Sequence, residues 1–549
     1  MQYGFREFPR DIRVMNNLSR SIALLVFLCA GHFSGPVRAQ QLDLIGVTLL
    51  RAVTTNVNGA GVWVGQVEAE SGAGVWEIDP TNSLVLQPAN RFTYFYGTSP
   101  YASVISTNAF PNSLGIASGH AIAVAAYFFG LFGGVATNIA HVNNYEANTF
   151  INYYVNQEHA ISERIVNQSF TFGTVDTNVD QLYDNYAVAN NVLIVSGAGF
   201  PNNPVWTPAT CYNGIGVGVS DNLSTPYGPT PDGRSKPDIC APHPPNADGL
   251  TSYTTPQVSG AAVLLMQAGL RGDGGSGSTT NLAVDIRTIK ALLLNGAIKP
   301  TDWTNSVSAP LHSRYGAGML NIFNSYKQLT GGKQGFIIFT TNAVGGVHPP
   351  TNTAGTVSAL SGWDYNTNTS GKSPVQFDAV NHYYFNVTNN LSGAKFIATA
   401  TLVWNKQYNK NAINNLQLFL YNCANSNLVA CSTSLVDNVE HIYKTNLAQG
   451  RYDLQVWKAG GSGIVSAAEP YALAFEFFSE TLSVSKSGTN TTLTWPVYPA
   501  GFVVESATNL IAPVWINNLP SPTVTNNMNN VKLNATNPSQ FFRLRRPNF

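Results

Sequence analysis

Ser252 stands in "GLTSYTTPQVSGAAVLLMQAG", residues 249–269, a little before Pro256 and a run that is apolar on nearly every side. Proline fixes φ and lacks an N–H, which suits the first turn of a helix, and an all-round apolar helix is one buried inside a domain. A serine at such a place has two uses. It can cap the helix through its side-chain oxygen, or it can act as a nucleophile if a base lies within hydrogen-bond reach and a carboxylate stands behind the base. His120 in "SGHAIAVAAYFFG" again directly precedes an apolar helix, and Glu68 ends the apolar run "GVWVGQVE". Glu70, Glu77 and Asp79 are close enough in sequence to be alternatives to Glu68. No HExxH and no cysteine pair with zinc spacing is present, so metal catalysis finds no support. The Gly-rich "LRGDGGSGSTTN" has no terminal Gly-Lys-Ser/Thr and reads as a surface loop, not a phosphate cradle.

These residues need elements to hold them. From about residue 41 to 328, β-branched runs such as "GVWVGQVE", "NVLIVSGAG" and "GIGVGVSD" alternate with the apolar helical stretches "HAIAVAAYFFG", "TPQVSGAAVLLMQAG" and "DIRTIKALLLNGA". Continuous apolar strands separated by helices predict an α/β unit, a parallel sheet with helices on both faces. In such a sheet the strand ends and the N-termini of following helices share one edge, where sites form. After "YGAGMLNIFNSYKQLTGG" alternation takes over, with Leu416, Leu418 and Leu420 on one face of a half-buried strand. Four segments result: a leader over 1–39, the α/β domain over 40–329, a β-sandwich or jelly roll over 330–479, and a small immunoglobulin-like sandwich over 480–549.

Composition narrows the function. Charged residues are 11% of the 549, with 29 basic against 29 acidic, so there is no net field to hold nucleic acid or an anionic membrane. "RSIALLVFLCAGHFSGPVRAQ" has an arginine, an apolar core from Ile22 to Ala30 and small residues up to Ala39, the pattern of a secretory signal peptide cleaved after Ala39. Its apolar run is too short to span a membrane. Met15 gives a signal peptide of more usual proportions than Met1. Export permits disulfides, and beyond Cys29 in the leader the cysteines are Cys211, Cys240, Cys423 and Cys431. The expected pairing is Cys423 with Cys431, across a turn centred on Asn-Ser-Asn, and Cys211 with Cys240; four buried thiols are the alternative.

The α/β region resembles the subtilisin-like serine peptidases of the subtilase family. "LTSYTTPQVSG" is similar to the family's block around its nucleophile, "GHAIAVAA" to the block around its histidine, and "GPTPDGRSKPDICAP", "DIRTIKALLLNGA" and "RYGAGMLN" follow in the family's order. The resemblance implies Ser252 as nucleophile, His120 as general base and Glu68 as the carboxylate. It also implies a cleft-lining strand in "RIVNQSFTFG", with Ser169 and Phe170 near the position of the substrate side chain before the cut bond. The chain departs from the family at four places. Glu68 replaces an Asp, and Leu250 replaces a Gly two residues before the nucleophile. No folding propeptide fits between residue 40 and the Glu68 strand. Phe200 stands where the family places the Asn of its oxyanion hole, leaving Asn202 and Asn203 as candidate donors behind the restrictive Pro201.

The expected function is therefore an exported serine endopeptidase, extracellular or periplasmic, acting on peptide or protein substrates through a Ser-His-Glu triad and an acyl-enzyme. It needs no cofactor for catalysis; structural calcium and oligomeric state are not legible in the residues. The alternative is a slow or inactive subtilase-like protein that holds peptides or surfaces as a secreted scaffold.

Overall fold

The computed structural model describes residues 41–98, 103–220, 225–243, 250–351, 353–388, 395–479, 482–497, 502–511, 513–517, 519–525, 528–534 and 540–545. The leader expected over residues 1–39 lies outside the described residues. Within them, no helix is long and apolar enough to cross a membrane.

The first unit is built on β1 (Trp63–Glu68), β2 (Val75–Glu77), β3 (Phe92–Gly97), β4 (Val104–Thr107), β5 (Ile116–Ala117), β6 (His141–Glu146), β7 (Ile165–Gln168), β8 (Leu193–Gly197), β9 (Ile215–Val219) and β10 (Ile239–Ala241). An eight-stranded sheet runs β10-β9-β8-β7-β1-β6-β3-β4. It is parallel throughout except for β4, which pairs antiparallel with β3 at the edge. The strands β7, β8, β9 and β10 are buried at every position, which explains the unbroken apolar or small-residue runs of β8, β9 and β10. β2 and β5 form a separate short parallel pair.

Helix Thr255–Leu270 is buried from Thr255 to Gly269. Its polar side chains are all engaged: Gln267 accepts from the N–H groups of Asn58 and Gly59 at 2.8 and 2.7 Å, and Ser259 donates to Asn167 Oδ1 at 2.8 Å. Gly260 lets this helix approach the connection that follows helix Gly119–Phe128, since a Cβ there would lie 2.5 Å from Val135 Cβ. The two helices that begin near Ser252 and His120 are thus packed together.

The remaining chain is antiparallel. β11 (Ile338–Asn342), β13 (Asp378–Val387), β15 (Leu416–Asn422), β16 (Asn427–Ser432) and β18 (Gly450–Lys458) make one sheet, ordered β11-β13-β18-β15-β16. β12 (Ser361–Thr369), β14 (Phe396–Trp404), β17 (Val439–Leu447) and β19 (Ala468–Phe478) make a second, ordered β12-β19-β14-β17. Tyr383, Phe385, Leu402, Leu418, Leu454 and Phe475 fill the core between them. Farther on, a four-stranded and a two-stranded sheet enclose a small core of Leu493, Trp495, Val504 and Val531.

The expected disulfides do not form; all four cysteines are free thiols. The hairpin register opposes Cys431 to Phe419 and Asn422 to Asn427, so Cys423 lies about four residues along the ladder from Cys431. At roughly 3.3 Å per residue the gap is about 13 Å, beyond the ~7 Å limit for bridging. Cys211 and Cys240 lie in separate clusters, where they donate to Asp180 Oδ1 at 3.4 Å and the Gly318 carbonyl at 3.2 Å.

Helix Ile286–Asn295, capped by the Asp285 side chain on the Arg287 N–H, joins the α/β unit to the second sheet. At its last residue, Asn295 Oδ1 accepts from the hydroxyls of Thr399 and Thr401, each at 3.0 Å, while Nδ2 donates to Gln328 Oε1 at 3.0 Å. Asn295→Ala removes one partner from three buried groups, each costly to leave unpaired. A loss of about 3 kcal/mol is expected, read as a lowered urea midpoint, against a change within about 0.5 kcal/mol for Asn425→Ala at an exposed hairpin tip.

Candidate active site

Ser252 does not cap the buried helix. It sits in a 3₁₀ turn, Thr251–Tyr253, and the residue before helix Thr255–Leu270 makes no side-chain cap. The turn is held from two strand ends. Thr251 Oγ1 donates to the Gly199 carbonyl at 2.9 Å, beyond the end of β8, and a Cβ on Gly197 would lie 2.8 Å from that same oxygen. Just past β7, Ser169 Oγ donates to the Ser252 carbonyl at 3.0 Å and the Ser252 hydroxyl donates back to the Ser169 carbonyl at 3.2 Å. Ser252 and His120 are not hydrogen-bonded to each other in this arrangement.

His120 is the second residue of helix Gly119–Phe128, whose N-terminus is capped by Ser118 accepting from the Ala121 N–H at 3.3 Å. Its ring centroid lies 6.4 Å from that of Tyr253, the neighbour of Ser252. Nδ1 meets Glu68 Oε2 at 2.8 Å. Glu68 ends β1 and is 1% exposed, whereas the His120 side chain is 24% exposed. A proton held on Nδ1 by the carboxylate leaves Nε2 as the basic nitrogen. Burial opposes charge on the imidazole, but the Glu68 carboxylate's field and hydrogen bond outweigh it and raise the His120 pKa above 6.5.

None of the other acids near β1 is hydrogen-bonded to His120, whose partner is Glu68. Asp79 Oδ1 accepts from the N–H and hydroxyl of Thr81 at 2.8 and 2.7 Å. Glu77 is buried, and Glu70 takes a backbone hydrogen bond from Gly74; burial is the main cause that raises both carboxyls above their ordinary range.

Around the turn, Phe170 packs at 6.4 Å from Phe172, and Phe200, 43% exposed, packs edge-on at 5.9 Å from Trp206. Asn203 Nδ2 donates to the Pro201 carbonyl at 3.0 Å, and exposed Asn202 adopts φ 60°. Neither amide is hydrogen-bonded to Ser252. Leu250 packs with Tyr127 and Tyr253. Sequence reasoning passed over Thr251, and also Gln66, whose Nε2 donates to Glu68 Oε1 at 2.7 Å. The available signal for Gln66 was a polar residue inside an apolar strand, two positions before the carboxylate and so on its face.

Glu68→Gln removes the charge that raises the histidine and leaves burial, which lowers it. NMR titration should show the His120 pKa falling below 6.5, with Glu70→Gln leaving it in place. The sign for stability follows from the same linkage: the raised folded-state value makes the pair stabilising below the unfolded pKa of about 6.5, and that contribution is lost as pH rises through the folded pKa. The stability gap between parent and Glu68→Gln should be wider at pH 5 than at pH 9.

Residues 101–318 match the family model described as "Subtilase family" (Peptidase_S8), a span that holds His120 and Ser252 but begins after Glu68. No curated protein sequence matches the chain. Among solved structures, a cold adapted subtilisin-like serine proteinase is 17% identical over 48% of this chain and 90% of its own, with a TM-score of 0.34. A lanthipeptide protease is 15% identical over 53% of this chain and 93% of its own, with a TM-score of 0.35. Tripeptidyl peptidase 2 is 12% identical over 75% of this chain and 48% of its own, with a TM-score of 0.29. Over residues 101–318, the α/β unit of this chain is thus similar to the subtilase family.

Proposed function

We propose that the chain is an exported serine endopeptidase in which Ser252 attacks a peptide carbonyl, His120 takes the serine proton and Glu68 holds the imidazole. The observation that carries this reading is the 2.8 Å bond between His120 Nδ1 and the buried Glu68 carboxylate, at the sheet edge that also seats the Ser252 turn. Ser252 must first leave the Ser169 carbonyl by rotation about χ1 and donate to Nε2. Its oxygen then bonds to the substrate carbonyl carbon while Nε2 receives the proton. The proton passes to the leaving amine as the peptide bond breaks, and water repeats the sequence to free the acyl group. The reaction uses these side chains and water alone. The same reading treats 40–329 as the peptidase domain and 330–479 and 480–549 as appended β domains.

A second reading, a peptide- or surface-binding scaffold, draws on the engagement of the Ser252 hydroxyl by the Ser169 carbonyl, and on the sequence resemblance that expects an oxyanion donor where this chain has the exposed Phe200. Fluorophosphonate reacts with an activated serine whatever the substrate, and so separates the two readings. The peptidase reading expects labelling of the mature protein at Ser252 and its abolition in Ser252→Ala, with the fold retained. A folded protein that does not label supports the scaffold.

The tetrahedral intermediate places full negative charge on oxygen, and loss of one side-chain donor costs about 10² to 10³ in turnover in a subtilisin. With Phe200 in that place hydrolysis should be slow, and Phe200→Asn should raise peptide turnover at least about tenfold. A folded, peptide-binding Phe200→Asn protein with unchanged turnover would show that the oxyanion is stabilised elsewhere.

A further inference from the structure

We infer that Gln66 is a positioning residue for the Glu68–His120 pair; only its kinetic consequence rests on the peptidase reading. Val64, Gln66 and Glu68 alternate along β1 and so share one face of the sheet. Val64 on that face belongs to the same apolar cluster as Ala121 and Ala125 of the histidine helix. An apolar residue at 66 would extend that packing. Instead, a fully buried amide stands there, its Oε1 without a hydrogen-bond partner.

The amide's Nε2 accounts for its presence. It donates to Glu68 Oε1 at 2.7 Å and to the Ala121 carbonyl at 2.9 Å. Both partners are acceptors, so the amide orientation is fixed: the flipped form would set its oxygen against a carboxylate and a carbonyl. The backbone at Gln66 is held as well, because Asn144 Nδ2 donates to its carbonyl at 3.2 Å and Asn144 Oδ1 accepts from the Ile78 N–H at 2.9 Å.

These bonds close a loop between strand and helix. One carboxylate oxygen of Glu68 takes His120 Nδ1, and the other takes Gln66 Nε2, which also grips the carbonyl of the residue after His120. A glutamate has one more rotatable bond than an aspartate, so one bonded oxygen leaves its carboxylate free to swing. With both oxygens engaged, the longer side chain has a single orientation and the imidazole is aimed by it. Gln66 touches no reacting atom and acts through Glu68.

The test uses the full mature chain and the variants Gln66→Met, of similar length without donors, and Gln66→Asn, whose amide is one methylene shorter. Both should label with fluorophosphonate at least tenfold more slowly than the parent and lower kcat with KM unchanged. The downfield NMR resonance of the His120 Nδ1 proton should broaden through faster exchange. In a Glu68→Asp background, where the shorter carboxylate is out of reach, Gln66→Met should cause no further change, the non-additivity expected of a pair acting as one unit. Parent-like labelling with an unchanged resonance in either variant overturns the proposal, as does a fully additive double variant. If the parent itself does not label, the peptidase reading fails and the resonance alone decides the role of Gln66.

Discussion

Burying helix Thr255–Leu270 with no exposed face before its last residue is the constraint on which the rest of the α/β unit depends. A helix apolar all round must be enclosed by other elements. Here the sheet, the histidine helix and helices 286–295 and 322–330 surround it. Each polar side chain within it must find a partner in that enclosure, and Gln257, Ser259 and Gln267 all do, through Pro242, Asn167 and the 56–59 segment. The result is a rigid axis whose N-terminal approach is the Ser252 turn. Where the helix can sit fixes where the nucleophile candidate sits.

The second constraint is electrostatic. A carboxylate that is 1% exposed is costly unless its oxygens are hydrogen-bonded and a positive or polarisable group faces it. Glu68 meets both requirements at the end of β1, and its register partner across β6 is another acid, Glu146. Glu146 is turned away from it, accepting from the N–H groups of Asn148 and Thr149 at 2.8 and 2.7 Å as a helix cap. Two neighbouring strand ends therefore carry acids with separate tasks, one facing an imidazole and the other backbone amides.

The α/β order was legible because its strands are buried on both faces: "NVLIVSGAG" and "GIGVGVSD" have no polar alternation to confuse with a helix, and both form central strands. Glu68 and His120 were legible as a strand end and a helix start. What sequence cannot reveal is the partner of each polar atom. The Ser252 hydroxyl finds a carbonyl on a segment 83 residues away, and the amide of Gln66 is defined by an oxygen on another element, so neither leaves a local pattern. The cysteines failed for a related reason. Spacing suggested a bridge from Cys423 to Cys431, but strand register, set by the hydrophobic face of Leu416, Leu418 and Leu420, draws them apart.

The Ser252 and Ser169 bonds link these constraints to the proposed reactivity. Each serine donates its hydroxyl to the other's carbonyl, so the turn before the buried helix is latched to the end of β7. Of the two bonds, the one from Ser169 can persist while the other breaks, because it holds the backbone of residue 252 and not its side chain. In the proposed peptidase, the turn then keeps its seat while the Ser252 hydroxyl changes partner, from a neutral carbonyl to an imidazole whose basicity Glu68 raises. Exchanging one acceptor for a stronger one costs little in hydrogen bonding and requires only a side-chain rotation. The buried helix, the latched turn and the doubly held carboxylate hold the backbone and the acid in place, so the proposed first step asks for that rotation of Ser252.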